Sequence, residues 1–142
     1  MVAFSYNIYQ KNVEPVTFLL LKEKYNIIIN TMQNIEFPKT FTQKVKLILK
    51  KIPNGTVTSY GTIAALAGSP RAARQVVQII HRTKDIPWHR VINSQGQIVI
   101  KDYDGFQEQK MLLEMEGIKS DSKGKIDLNK YQWKCYSIDE LI

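Results

Sequence analysis

From Phe41 onward the apolar side chains recur at helical spacing. Phe41, Val45, Ile48, Leu49 and Ile52 fall on one stripe, while Lys44, Lys46, Lys50 and Lys51 lie off it. That is the pattern of a helix with one face in a core. Thr40 stands at its N-cap with Gln43 three residues on, a capping box, and Pro53-Asn54-Gly55 stops it. A short extended link, Thr56-Val57-Thr58, leads to Ser59, a cap for a second helix over Tyr60 to Ala67. Gly68 can close that helix in a left-handed conformation. Ser69-Pro70 then starts a third helix to about Arg82, with Ser as N-cap and Pro in the first turn. Two short helices joined by a tight glycine turn read as helix-turn-helix.

The third helix is two-sided. Ala73, Val76, Val77 and Ile80 keep core spacing, and Arg71, Arg74, Gln75, Gln78 and Arg82 occupy the other face. Arg90-Val91-Ile92-Asn93 and Ile98-Val99-Ile100-Lys101 alternate as strands do, and Ser94-Gln95-Gly96-Gln97 bridges them, which predicts a β-hairpin. Asp104-Gly105-Phe106-Gln107 opens a further helix in the manner of a capping box. Met111, Leu112 and Met115 form its apolar stripe, and Gly117 ends it. A polar turn, Asp121 to Lys125, precedes a tail anchored by Tyr131 and Trp133. The expected fold is α+β: a mostly helical winged helix-turn-helix with a small β-hairpin wing. The chain is expected to divide into an extension over 1–38, a winged-helix domain over 39–134 and a tail over 135–142. The extension can be a small subdomain, an appended helix or an arm.

Charge sharpens this picture. Residues 1–36 carry three Lys and three Glu, residues 37–101 carry eleven Lys or Arg against the single acid Asp85, and residues 102–142 carry six Lys against nine acids. A 65-residue block this basic is the footprint of a phosphate-backbone binder. Arg and Gln on the exposed face of the third helix suit phosphates and base edges. No apolar run approaches the roughly 18–20 residues a bilayer span needs, and no signal-peptide layout is visible. One cysteine, Cys135, cannot form an internal disulfide, so a reducing cytoplasm is the expected setting. Two His and one Cys in distant places are poor material for a zinc site. No cofactor is expected.

The string Pro87-Trp88-His89-Arg90-Val91 carries the most specific chemistry. It resembles the Pro-Cys-His-Arg-Val motif of O6-alkylguanine-DNA alkyltransferases, with Trp88 where the alkyl-accepting cysteine stands. Gly55 to Gly61, Ser69 to Arg74, Glu116-Gly117 and Ile126 to Trp133 resemble further family segments in order and spacing, so the likeness covers about residues 40–134. A Trp in the cysteine's slot is the hallmark of the alkyltransferase-like proteins. Thiolate chemistry needs an ionisable sulfur, and indole nitrogen is a donor only.

The resemblance implies a protein that binds duplex DNA as a monomer and flips O6-alkylguanine into a pocket. It then marks the site for another pathway, such as nucleotide excision repair. It implies that Arg74 fills the vacated base stack and that Tyr60 crowds the target phosphate. Tyr60, Ser69, Arg71, Arg74, Gln75 and Gln78 would contact DNA. Tyr60, Trp88, Val91, Tyr103, Asp104 and Gly105 would line the lesion pocket, held by a buried His89–Glu116 hydrogen bond with no catalytic role. The chain departs from the family pattern in three places. His81 to Ile86 is shorter, Asp104 replaces a small serine, and residues 1–36 lack a counterpart in minimal alkyltransferase-like proteins. Two other readings stay open: a transferase-type enzyme acting through Cys135 or His89, and a winged-helix transcriptional regulator.

Overall fold

The computed structural model describes residues 15–33 and 37–142, in two compact units, Met1–Phe37 and Pro38–Ile142. Within the first, α1 (Pro15–Gln33) is a helix of 19 residues. Residues 1–14 and 34–36, part of the sequence-defined extension, lie outside the described residues. Among the described residues no helix is long and apolar enough to cross a membrane.

The second unit is built on α2 (Phe41–Lys51), α3 (Tyr60–Leu66), α4 (Ala73–Arg82) and α5 (Tyr103–Met115), with a short α6 (Leu128–Tyr131). The expected capping box is present at α2. Gln43 N donates to Thr40 Oγ1, and Gln43 Oε1 accepts from Thr40 N. Ser59 caps α3 by accepting from Thr62 N at 3.1 Å. At its other end Gly68 N donates to Ala65 O and Ser69 N to Ala64 O. That pair of bonds is a Schellman closure, and it needs the positive φ of 89° that Gly68 supplies.

Two strands, β1 (Thr58–Ser59) and β2 (Val91–Ile92), pair in parallel. They divide the interior because successive strand side chains point to opposite faces. Val91 enters a cluster with Val45, Ile48, Leu49, Ile63 and Val76 from α2, α3 and α4. Ile92 enters a second cluster with Val57, Ile98, Leu113, Ile118 and Ile126. Each fully buried Ile or Leu contributes about 2 kcal/mol over its exposed state. The segment after Lys134, expected as a tail, belongs to this unit: Ile138 and Leu141 pack on the first cluster.

Three local expectations are corrected. The hairpin does not form. Asn93 Oδ1 accepts from both Gln95 N and Gln97 N and Asn93 N donates to Gln97 O, so a tight turn closes and no ladder continues from it. The second arm then pairs elsewhere: Ile98 N donates to Gly124 O, and Ile126 N to Gly96 O. The third helix starts at Ala73, with no side-chain cap. Ser69 to Ala72 form a turn closed by Ala72 N to Ser69 O, since Ser-Pro suits the first two positions of a turn as well as a helix start. Finally, α5 begins two residues earlier than read, capped by Asp102, and buries Gln109 and Leu113 while Met111 and Met115 stay exposed. The buried stripe contains a polar residue, which hid it from an apolar count.

Gly96 illustrates a position fixed by sterics. Its φ is 81°, and an added Cβ would lie 2.7 Å from Ile126 O. Gly96→Ala is expected to cost about 2 kcal/mol or more, read as a lowered denaturation midpoint with unchanged folded spectra.

Candidate nucleic-acid interface

Helix α4 is anchored by Val76, which is fully buried. Gln75 and Gln78 are exposed around it, as are Arg74 and Arg82, and Arg71 lies exposed on the preceding turn with Ser69. From Phe37 to Lys84 the chain carries nine Lys or Arg and no acid. Among the described residues the salt bridges all involve Glu116. The cations of α2 and α4 therefore have no carboxylate partner there. Tyr60, at the start of α3, packs against the first core cluster, and burial pushes its phenol upward. It stays a neutral hydroxyl, able to donate to a phosphate.

Trp88 lies on a single 3-10 turn, Trp88–Arg90, between α4 and β2. It is half-buried against the same cluster as Val91, and its ring meets His89 edge-on at 6.2 Å. The turn is held from below by one carboxylate. Glu116 accepts from Arg90 Nε at 2.9 and 3.0 Å and from Arg90 Nη2 at 2.7 Å. It also accepts from His89 Nε2 at 2.7 Å and Gly55 N at 3.0 Å. An ionised carboxylate only accepts, so Nε2 is the protonated nitrogen of His89. Arg90 Nη1 continues to Ile52 O at 2.7 Å, tying the turn to the end of α2. From the other side the buried Gln109 amide donates to His89 O and Val91 O.

Burial pushes the Glu116 carboxyl upward, but the hydrogen bonds from Arg90, His89 and Gly55, with the Arg90 charge, outweigh it and hold it at about 2. The ordinary value is 4.5. A depressed acid stabilises the folded state fully above its unfolded value. Its contribution is then lost as pH falls from about 5 through about 2, on the order of 3 kcal/mol in all. Denaturant titrations across that window are expected to show the loss, and Glu116→Gln should flatten it.

Among the pocket residues inferred from sequence, Trp88 and Tyr60 share the first cluster. Val91 differs: its side chain is 0% exposed, because β2 turns it into the core, so it backs the site as packing and does not line an opening. Tyr103 and Asp104 are exposed at the start of α5. Gly105 sits so close to Ile100 that an added Cβ would be 2.9 Å from its Cγ2. His89 and Glu116 are hydrogen-bonded as described. Sequence reasoning missed Arg90 and Gln109. Gln109 had a signal, since it stands at core spacing between Phe106 and Leu113. Arg90 had only its place inside the motif.

The family model described as 6-O-methylguanine DNA methyltransferase, DNA binding domain, matches residues 40–118. A DNA base-flipping protein of Escherichia coli is 43% identical over 104 residues, covering 71% of this chain and 80% of that protein. Alkyltransferase-like protein 1 of Schizosaccharomyces pombe is also 43% identical, over 66% of this chain and 94% of its own length. The crystal structure of S. pombe Atl1 in complex with damaged DNA containing O6-carboxymethylguanine superposes with a TM-score of 0.60 at 43% identity, covering 67% of this chain and 95% of that one.

Proposed function

The chain belongs to the family of the 6-O-methylguanine DNA methyltransferase DNA-binding domain, and on that premise we propose that it recognises O6-alkylguanine in duplex DNA without repairing it. The α4 face docks on the duplex in the minor groove, where readout of base identity is degenerate. That suits a search for damage in any sequence. Arg74 enters the stack as the damaged nucleotide turns out, and Tyr60 crowds its phosphate. Flipping costs a few kcal/mol, least for a base that already pairs badly, and a stacked guanidinium recovers part of it. The flipped base rests against Trp88 beside the start of α5 with Tyr103, Asp104 and Gly105.

The observation that carries this reading is Trp88 on a turn rigidly held by Glu116, Arg90 and Gln109. A residue held on that turn would be presented to a flipped base, and Trp88 offers it no ionisable nucleophile. Cys135 supports the same conclusion. It is buried, burial pushes its thiol upward, and its Sγ donates to Ser137 O at 3.4 Å. A low-pKa, accessible sulfur is what alkyl transfer requires.

With no transfer step the complex persists and serves as a mark for a second pathway such as nucleotide excision repair. The protein acts as a monomer in the cytoplasm and needs no cofactor. Titration of two duplexes differing by a single O6-methylguanine tests the reading. The damaged duplex is expected to bind more tightly, and equal affinities would count against lesion sensing.

A further inference from the structure

A groove of about 310 Å³ opens between α2 and α4, and Trp88 is not among the residues that line it. Phe41 and Ile79 give it apolar surface, and Lys46, Arg82, Gln75 and Gln78 give it charge and amides. No acidic residue lines it. Lys46 lies off the buried stripe of α2, and Arg82 closes the last turn of α4. Gln75 and Gln78 belong both to this groove and to the exposed face that carries Arg74. From Arg74 to Arg82 the helix advances eight residues, about 12 Å at 1.5 Å each, the axial length of three to four base pairs.

We propose that this groove is a second DNA-backbone station, in which Lys46 and Arg82 hold a phosphate of the duplex flanking the flipped nucleotide while its deoxyribose rests on Phe41 and Ile79. The inference rests on the proposed DNA reading and extends it to residues outside the recognition face and the lesion site. Its chemistry is that of a sugar-phosphate chain, with apolar contact for the sugar, cations for the phosphate and amides for its free oxygens. A duplex leaving the Arg74 face meets the groove through Gln75 and Gln78 without a break. An acidic protein segment would find the same cations but would have no reason to share the recognition helix's amides.

Such a station holds backbone whatever the base, so it adds affinity and salt dependence but no lesion preference. The test is binding of the full chain to 20–30-base-pair duplexes with and without one central O6-methylguanine, across a salt series. The variants are Lys46→Ala, Arg82→Ala and the double change. Lys51→Ala is the control: it removes the same charge from α2, on the flank away from Lys46. All three sites are exposed, and thermal unfolding is expected to stay unchanged.

The double variant is expected to weaken binding to both duplexes by the same factor, about tenfold to hundredfold. The slope of log affinity against log salt should fall by about 1 to 2, because each lost phosphate contact removes about one unit. Lys51→Ala should move either quantity by less than half as much. Unchanged affinity and slope in the double variant overturn the station, as would an equal effect from Lys51→Ala. A loss confined to the damaged duplex overturns it too. Failure of the underlying reading looks different: the wild-type protein would bind both duplexes equally, whatever the groove variants do.

Discussion

Glu116→Ala is expected to destabilise the second unit by about 3–5 kcal/mol, the largest loss from any single substitution discussed for this chain. The carboxylate side chain is 8% exposed and the Arg90 side chain 16%. Removing one partner of a buried ion pair leaves the other charge without compensation. Here the loss is compounded. Arg90 keeps only its bond to Ile52 O, and His89 Nε2 and Gly55 N lose their acceptor. The turn carrying Trp88 then has only Gln109 and its own backbone to hold it. Urea denaturation monitored by tryptophan fluorescence reads the effect. Lesion preference should fall in the same variant, under conditions where it remains folded. A destabilisation below about 1 kcal/mol would mean that the network is ornamental and that backbone packing alone positions the turn.

Arg74→Ala is expected to leave stability unchanged, since Arg74 is exposed and has no ion pair among the described residues. Its effect is on binding. If the guanidinium fills the space left by a flipped nucleotide, its loss removes stacking and cation–π contact worth about 2 kcal/mol, roughly thirtyfold, from the damaged complex. Undamaged duplex, which needs no stack filler, should lose only the share of one charge. The ratio of the two affinities is the quantity to compare. An equal loss for both duplexes would make Arg74 a backbone contact and move the stack-filling role to another side chain.

The parts of this molecule legible in sequence are those set by local chemistry. The capping box at Thr40, the Ser59 cap and the Gly68 closure each depend on residues within a few positions of one another, and each is present. The basic character of the α2 to α4 region is likewise additive and needs no fold to be read. The misread parts are those where one short string serves two conformations. Ser69-Pro70 fits a turn as well as a helix start, and Asn93 turns the chain with its side chain before a ladder can form. The pairing of Ile98 with Gly124, and of β2 with β1, is decided by distant partners that alternation cannot name. In α5 the buried face contains Gln109, whose amide is satisfied by the backbone around Trp88. A pattern search that equates burial with apolarity passes over it.

At the site the motif identified Trp88, His89 and Glu116, but the role of Arg90 became visible only in three dimensions. Arg90 and Glu116 are 26 residues apart, joined because α5 folds back over the turn. The same fold accounts for Val91, which the motif places beside the lesion and which the strand direction sends into the core. Distant pairing of this kind is the physical limit on reading a site from its motif.

The central claim is that an indole in place of a thiol leaves recognition intact and removes transfer. Its most direct test is the intact mass of the protein recovered from an isolated complex with duplex containing O6-methylguanine. The account predicts an unmodified polypeptide, however long the complex is held. A mass increase of one methyl group, with guanine appearing in the DNA in equal amount, would contradict it.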